Sequence, residues 1–424
     1  MGELLQIGVA SVDITPAAGL AMAGFVARTG PALGAHDSLT ARAMVVGDTA
    51  VIALDLLGVS RATSLAIARR CALPEENVIV AATHTHGGPQ VLASCLPQPD
   101  VNYLSMLEDA AVAAIDRAYA QRQPCTLRFG LGGDPAIARN RRHAGGVTDK
   151  TLPVVEAVDM SGKVIANLLA YACHPVVLAA DNRLWTADYP GYVRQSMETK
   201  RPGSTTLFLT GCTGDANTGH SAHASITLAS TAERSFGTAE RLGLLVAEQA
   251  LAAELTPLNS TRVGAESRIV HLPFARREAL PLPQQADLWR AELQSAEGAR
   301  RALLECWIGW AEAHATADLS GHVSCRVSAL VWGGVEIIAL PGEIFAETAL
   351  WIRQQVANPA AIIIGFADDN PGYIPPRSEY PFGGYEVDEA HRYYGQPASF
   401  APGAAEALAS AAVDCVLALR ASNR

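Results

Sequence analysis

Apolar and polar positions along this 424-residue chain follow two rhythms that take turns, one with the period of a strand and one with that of a helix. Residues 43–54 form two apolar runs on either side of Gly47-Asp48, the pattern of a hairpin. Residues 60–72 switch to helical spacing and stop before Pro74. Residues 77–82 then return to a short β-branched run, suited to a strand covered on both faces. Leu104, Leu107, Ala111 and Ile115 predict a helix over 103–122. Further strands are expected at 126–130, 154–158, 164–171, 205–209, 267–271, 323–331, 335–340 and 361–366. Further helices are expected at 192–198, 232–255, 284–314, 344–356 and 404–419. This interleaving predicts an α/β fold, with mixed β-sheets covered by helices.

Two stretches break the rhythm. Residues 219–231 are rich in Ser, Ala and His without periodicity, which reads as a loop or flap. Residues 276–319 are charge-rich, with Trp289, Trp307 and Trp310 at helix-compatible positions. They read as a helical insertion that closes the core, or as a contact between copies in a homo-oligomer.

Composition narrows the function classes. A chain that is 49% hydrophobic and 17% charged is too apolar for intrinsic disorder. Its net charge of −10 excludes a general nucleic-acid binder, which needs a basic stripe to displace counterions. The most apolar window, 164–180, contains Asn167, His174 and Pro175 and lies between Lys163 and Asp181, so it reads as a buried strand and not a membrane span. The N-terminus lacks the basic and apolar regions of a secretory signal, and the eight cysteines are scattered without a C-x-x-C pair. The expectation is a soluble cytoplasmic protein with reduced cysteines.

Candidate chemistry gathers where strands are expected to end. Thr83-His84-Thr85-His86-Gly87-Gly88-Pro89 follows one strand, and side chains at i and i+2 of extended backbone point the same way. The two imidazoles could therefore meet on one ion, or be held by hydrogen bonds. His174-Pro175 ends a second strand, and Pro341-Gly342-Glu343 follows a third, with Glu343 at the expected start of a helix. Two or three histidines and one carboxylate suit a single Zn²⁺ with one position open for water. Two more loops, 209–217 and 367–386, carry Gly, Asp, Asn and Tyr beyond strand ends, and in open α/β sheets ligands gather there.

These motifs, in order, carry a resemblance. Ser11-Val-Asp-Ile-Thr-Pro16, His84-Thr-His86-x-Gly-Pro89, Asn140-Arg141, His174-Pro175, Gly214-Asp215, Pro341-Gly342-Glu343 and Gly372-Tyr373 resemble the neutral, non-lysosomal ceramidase family over roughly residues 7 to 395. The resemblance implies a zinc-dependent amidase on an α/β catalytic domain, with His84, His174, Glu343 and Tyr373 as zinc ligands. It also implies pocket roles for His86 and Arg141 and an active-site role for Tyr385. Where the family has an active-site serine, this chain reads Gly214-Asp215-Ala216-Asn217. That change favours a metal-activated water as nucleophile and leaves Asn217 and Asp215 as candidate substrate-binding residues.

The combined expectation is one catalytic domain over 1–424, without the family's C-terminal immunoglobulin-like domain, that hydrolyses the C–N bond of a small soluble amide. His86 would be the base or proton shuttle, Arg141 or Tyr385 the oxyanion partner, and Asp215 or Asp188 the group orienting a histidine. The competing readings are an esterase or lactonase on the same site, a ceramidase or N-acyl-lipid amidase, and an inactive ligand-binding homologue. A serine hydrolase is disfavoured because no Gly-x-Ser-x-Gly elbow occurs.

Overall fold

The structure, a computed structural model, describes residues 4–28, 30–93, 97–222 and 231–422. The first sheet is built from β1 (Leu5–Asp13), β2 (Thr40–Val46), β3 (Thr49–Leu54), β4 (Val78–Ala82), β5 (Gln123–Gly132), β6 (Leu152–Asp159), β7 (Val164–Tyr171) and β8 (Thr205–Thr210). Their order is β8-β7-β6-β5-β1-β2-β3-β4, with Thr256–Pro257 pairing β5 as a short extra strand. The β3/β4 and β7/β8 pairs are parallel and the other neighbours antiparallel. A second sheet runs β12-β11-β10-β9, from β9 (Val263–Ala275), β10 (His322–Trp332), β11 (Val335–Ala339) and β12 (Ala361–Ile364), with Ser399–Phe400 on the far edge of β9.

Why two sheets form can be read from the period-2 alternation of β2, β3 and β4. Met44, Val46, Val51, Ala53, Ile79 and Ala81 face the second sheet, where they pack with Leu330, Trp332, Ile337, Ala339, Ile362 and Ile364. Their neighbours Ala43, Val45, Ala50, Ile52, Val78 and Val80 face outward against Leu107, Ala111 and Ile115 of a helix. Both faces are therefore apolar, and the strands read as continuous hydrophobic runs. Helices α1 (Arg61–Arg70), α2 (Val101–Ala120), α3 (Tyr189–Lys200) and α4 (Phe236–Leu251) cover the outside of the first sheet. The pair α5 (Leu282–Leu293) and α6 (Gly298–Ala313) lies between β9 and β10, whereas α7 (Ala346–Val356) and α8 (Ala404–Ala421) cover the second sheet. The result is a four-layer helix–sheet–sheet–helix body.

Several expectations change. The single helix expected at 284–314 is broken into α5 and α6 at 294–297, where Ser295 and a Gly298 at φ +53° favour a turn. The two helices still bury Trp289, Trp307 and Trp310 in a common cluster. Glu343 does not open a helix: Glu343–Ile344 forms a short parallel bridge with Tyr373–Ile374, and α7 begins at Ala346. The apolar window 164–180 is β7 followed by loop, and no described helix is long and apolar enough to cross a membrane. Of the expected 219–231 loop, residues 223–230 lie outside those described. Cys71, Cys125, Cys173, Cys212, Cys325 and Cys415 are free thiols, but Cys306 is disulfide-bonded, so the reading of uniformly reduced cysteines is corrected. The cysteines therefore give no argument for a reducing compartment.

Candidate metal centre and reaction cavity

The strand ends converge at one point. His84 and His86 follow β4, His174 follows β7, and Glu343 follows β11. One ring nitrogen from each of His84, His86 and His174 lies within 4.8 Å of the other two. Glu343 Oε2 sits 3.1 Å from His174 Nε2 and 3.5 Å from His84 Nε2. The bridge that pairs Glu343 with Tyr373 sets these two residues side by side although thirty positions separate them in sequence.

Backbone geometry holds the imidazoles in place. His84 adopts φ +65°, a strained conformation that costs on the order of 1–3 kcal/mol, and its ring stacks on Phe366 at 3.9 Å between centroids. Each ring turns Nδ1 to a backbone carbonyl: His84 to Leu57 at 2.5 Å, His86 to Gly24 at 3.1 Å and His174 to Thr213 at 2.6 Å. A carbonyl only accepts, so Nδ1 carries the proton in all three rings and each Nε2 presents a lone pair. Gly24 lies so close to His86 that an added Cβ would meet the ring at 2.5 Å, which requires glycine there.

This donor set fits a cation. Nε2 of His84 and Nε2 of His86 are buried and have no hydrogen-bond partner among the described residues. His174 Nε2 and Glu343 Oε2, both acceptors, face each other at 3.1 Å. Burial pushes the imidazoles of His84 and His174 down to about 3 and that of His86 well below its ordinary value, so protonation is a poor source of the missing positive charge. A metal cation held by imidazole and carboxylate would supply it. Backbone carbonyls thus do the orienting that was expected of Asp215 or Asp188. Asp215 instead accepts from Ala346 N and Asn140 Nδ2, both at 2.9 Å, and Asp188 accepts from Tyr189 N and Leu178 N at the start of α3.

One cavity of about 80 Å³ opens on this cluster, and His86, Arg141, Asn217, Glu343, Tyr373 and Tyr385 all line it. His84, His174 and Asp215 lie behind that lining. Asn217 lines the cavity, yet its amide oxygen accepts from Gly219 N and His220 N while its nitrogen donates to His220 O. Its side chain is occupied in building that turn.

Arg141 is buried, and its guanidinium donates from Nε to Glu386 at 2.8 Å and from Nη2 to Gly214 O and the Tyr373 hydroxyl, each at 2.9 Å. Burial works against its charge, but Tyr373 and Glu386 outweigh it and hold the guanidinium fully protonated. Nη1 has no hydrogen bond to the described residues and remains for a ligand. Sequence reasoning missed the supports around it. Glu386 also binds Arg142 at 2.5 Å, Arg142 binds Glu379 at 2.8 Å, and the Tyr394 hydroxyl donates to Glu343 Oε1. Glu386 stood in a loop already marked as polar, but Tyr394 follows no spacing that would have picked it out.

Fold and site together define a four-layer α/β protein with a buried histidine–carboxylate centre at its strand ends. The family model for neutral/alkaline non-lysosomal ceramidase, N-terminal, matches residues 5–222, and the chain belongs to that family. A neutral ceramidase of Pseudomonas aeruginosa is 27% identical over 225 residues, which cover 46% of this chain and 33% of that enzyme. The aligned region is thus about a third of that relative's length. The crystal structure of neutral ceramidase from Pseudomonas aeruginosa matches the fold with a TM-score of 0.76 at 20% identity, covering 100% of this chain and 75% of that one. A ceramidase complexed with C2 gives 0.74 at 19% identity, covering 99% and 76%. At these identities the two structures speak for the fold alone.

Proposed function

We propose that the protein is a zinc-dependent hydrolase of amide C–N bonds that acts on a small soluble substrate and uses water as the nucleophile. The observation that carries this reading is the convergence of three Nε2 lone pairs and a buried carboxylate beside a cavity. Family membership supports amide hydrolysis. His84, His174 and Glu343 would hold the ion, because Glu343 Oε2 lies 3.1 Å from His174 Nε2 and 3.5 Å from His84 Nε2, with both histidines behind the cavity wall. Tyr373 would complete the set with its hydroxyl. When bound, the ion supplies Lewis acidity toward the carbonyl and the attacking water.

The remaining residues divide the proton and charge work. His86 faces the cavity with its Nε2 free, so it accepts the proton of the attacking water. As the C–O bond forms, negative charge builds on the carbonyl oxygen, where Arg141 Nη1 and the Tyr385 hydroxyl donate to it. Collapse breaks the C–N bond, and His86 returns its proton to the leaving nitrogen, giving an amine and a carboxylic acid, whose proton then passes to the amine or to solvent. Asn217, in place of a serine, offers no hydroxyl for a covalent route. We further propose that residues 1–424 act as one catalytic unit, with α5 and α6 packed onto it.

The test is a panel of N-acyl amines, N-acyl amino acids and lactams of graded acyl length, each with a matched ester and a chelator control. The reading expects chelator-sensitive hydrolysis of short-chain amides that serine-directed phosphonates leave untouched. Turnover of esters and lactones without amides would move the assignment to the esterase reading. Activity confined to long acyl chains would make the substrate a lipid.

A further inference from the structure

We infer that Val26 and Tyr393 form a partition that confines the reaction cavity and sets the acyl length the enzyme accepts; this rests on the amide-hydrolase reading above. The reaction cavity holds only about 80 Å³. Next to it lies a groove of about 500 Å³, lined by Ala302, Cys306, Gly309, Trp310 and Arg392 among others. Val26 lines both spaces. A chain of methylenes leaving the reaction cavity on that side meets Val26 before it reaches the larger volume.

Tyr393 makes the partition stiff. Its ring lines the reaction cavity, while its hydroxyl accepts a hydrogen bond from Trp307 Nε1 at 2.9 Å. Val26 and Tyr393 both pack against the cluster formed by Trp289, Trp307 and Trp310. The Arg392 guanidinium lies 4.9 to 5.4 Å from the three indole rings, a set of cation–π contacts that holds the cluster together. The α5–α6 pair therefore acts as a buttress behind the cavity wall. A tyrosine held at its hydroxyl and along its ring resists swinging aside for a long chain, so an aromatic wall limits acyl length on that side.

The experiment compares the full-length wild type with Val26→Ala, Val26→Ala/Tyr393→Ala, Tyr393→Phe, and the double variant carrying Gly309→Phe in addition. Gly309 lines the outer groove and a Cβ added there meets no atom within 4 Å, so a larger side chain can start from this position. Two readouts run in parallel: calorimetric binding of two-carbon and twelve-carbon alkyl hydroxamates, and hydrolysis of acetyl and dodecanoyl amides. The expected result is a rise of at least tenfold in the long-to-short ratio for the double variant and a smaller rise for Val26→Ala. Tyr393→Phe keeps the ring but loses the anchor to Trp307, so its ratio should rise less than that of the double variant, and Gly309→Phe should reverse the double variant's gain. An unchanged ratio in the folded double variant, or a wild type that already favours the twelve-carbon compounds tenfold, overturns the partition. If the double variant fails to fold, Val26→Ala alone decides. A wild type that hydrolyses neither amide refutes the amidase reading, and the hydroxamate ratio still decides the partition.

Discussion

Glu343→Gln should cost more than about 100-fold in metal affinity, with turnover falling in proportion to the metal lost. The substitution keeps the shape of a side chain that is fully buried and removes only its charge. In the native protein that charge faces two imidazole lone pairs at 3.1 and 3.5 Å and accepts the Tyr394 hydroxyl. Groups that merely orient metal ligands typically contribute 10- to 100-fold to affinity, so a direct anionic ligand should exceed that range. Metal analysis after dialysis against a weak chelator, alongside kcat/KM, reads both effects. A Gln variant that keeps its metal and turns over within tenfold of the wild type would remove Glu343 from the ligand set.

His86→Ala separates the two roles that a histidine can play here. As the residue that takes and returns a proton, His86 should contribute about 10²–10⁴-fold to kcat while leaving metal content and KM little changed. Its placement motivates this split, since it lines the cavity whereas His84 and His174 do not. The neighbouring lone pairs make the alternative concrete, because a ring nitrogen of His86 belongs to the same 4.8 Å cluster. If the variant loses its metal along with its activity, His86 is a ligand and the base must be sought elsewhere.

The parts of the site that sequence reasoning reached are those whose chemistry is carried by side-chain type. His84, His86, His174 and Glu343 stand out because polar, metal-ligating groups at the ends of apolar strands are costly without a purpose. What escaped it depends on backbone and on distant pairing. The carbonyls of Gly24, Leu57 and Thr213 fix the three imidazole tautomers, yet every residue has a carbonyl and no composition marks these. Asp215 and Asp188 looked better suited to orient a histidine, but their carboxylates are taken up by Ala346 N and Asn140 in one case and by the start of α3 in the other.

The fold shows the same division. An α/β body with mixed sheets is readable from alternating periods, and the helix around Leu107, Ala111 and Ile115 falls where its spacing puts it. The face-to-face packing of the two sheets is not readable, because strands buried on both faces lose the polar alternation that would tell one face from the other. The Glu343–Tyr373 bridge is hidden for a related reason: two residues per strand leave no periodicity, and Glu343 before an apolar helical run reads more simply as the helix's first turn.

The central claim is that His84, His174 and Glu343 hold one catalytic divalent ion. The most direct measurement is the metal content of the full-length protein, purified without added metal, followed by chelation and stepwise return of Zn²⁺ with activity read at each step. The account predicts close to one equivalent of bound ion per chain, loss of amide hydrolysis on its removal, and recovery that saturates at one equivalent. Full activity in protein stripped of metal would contradict it.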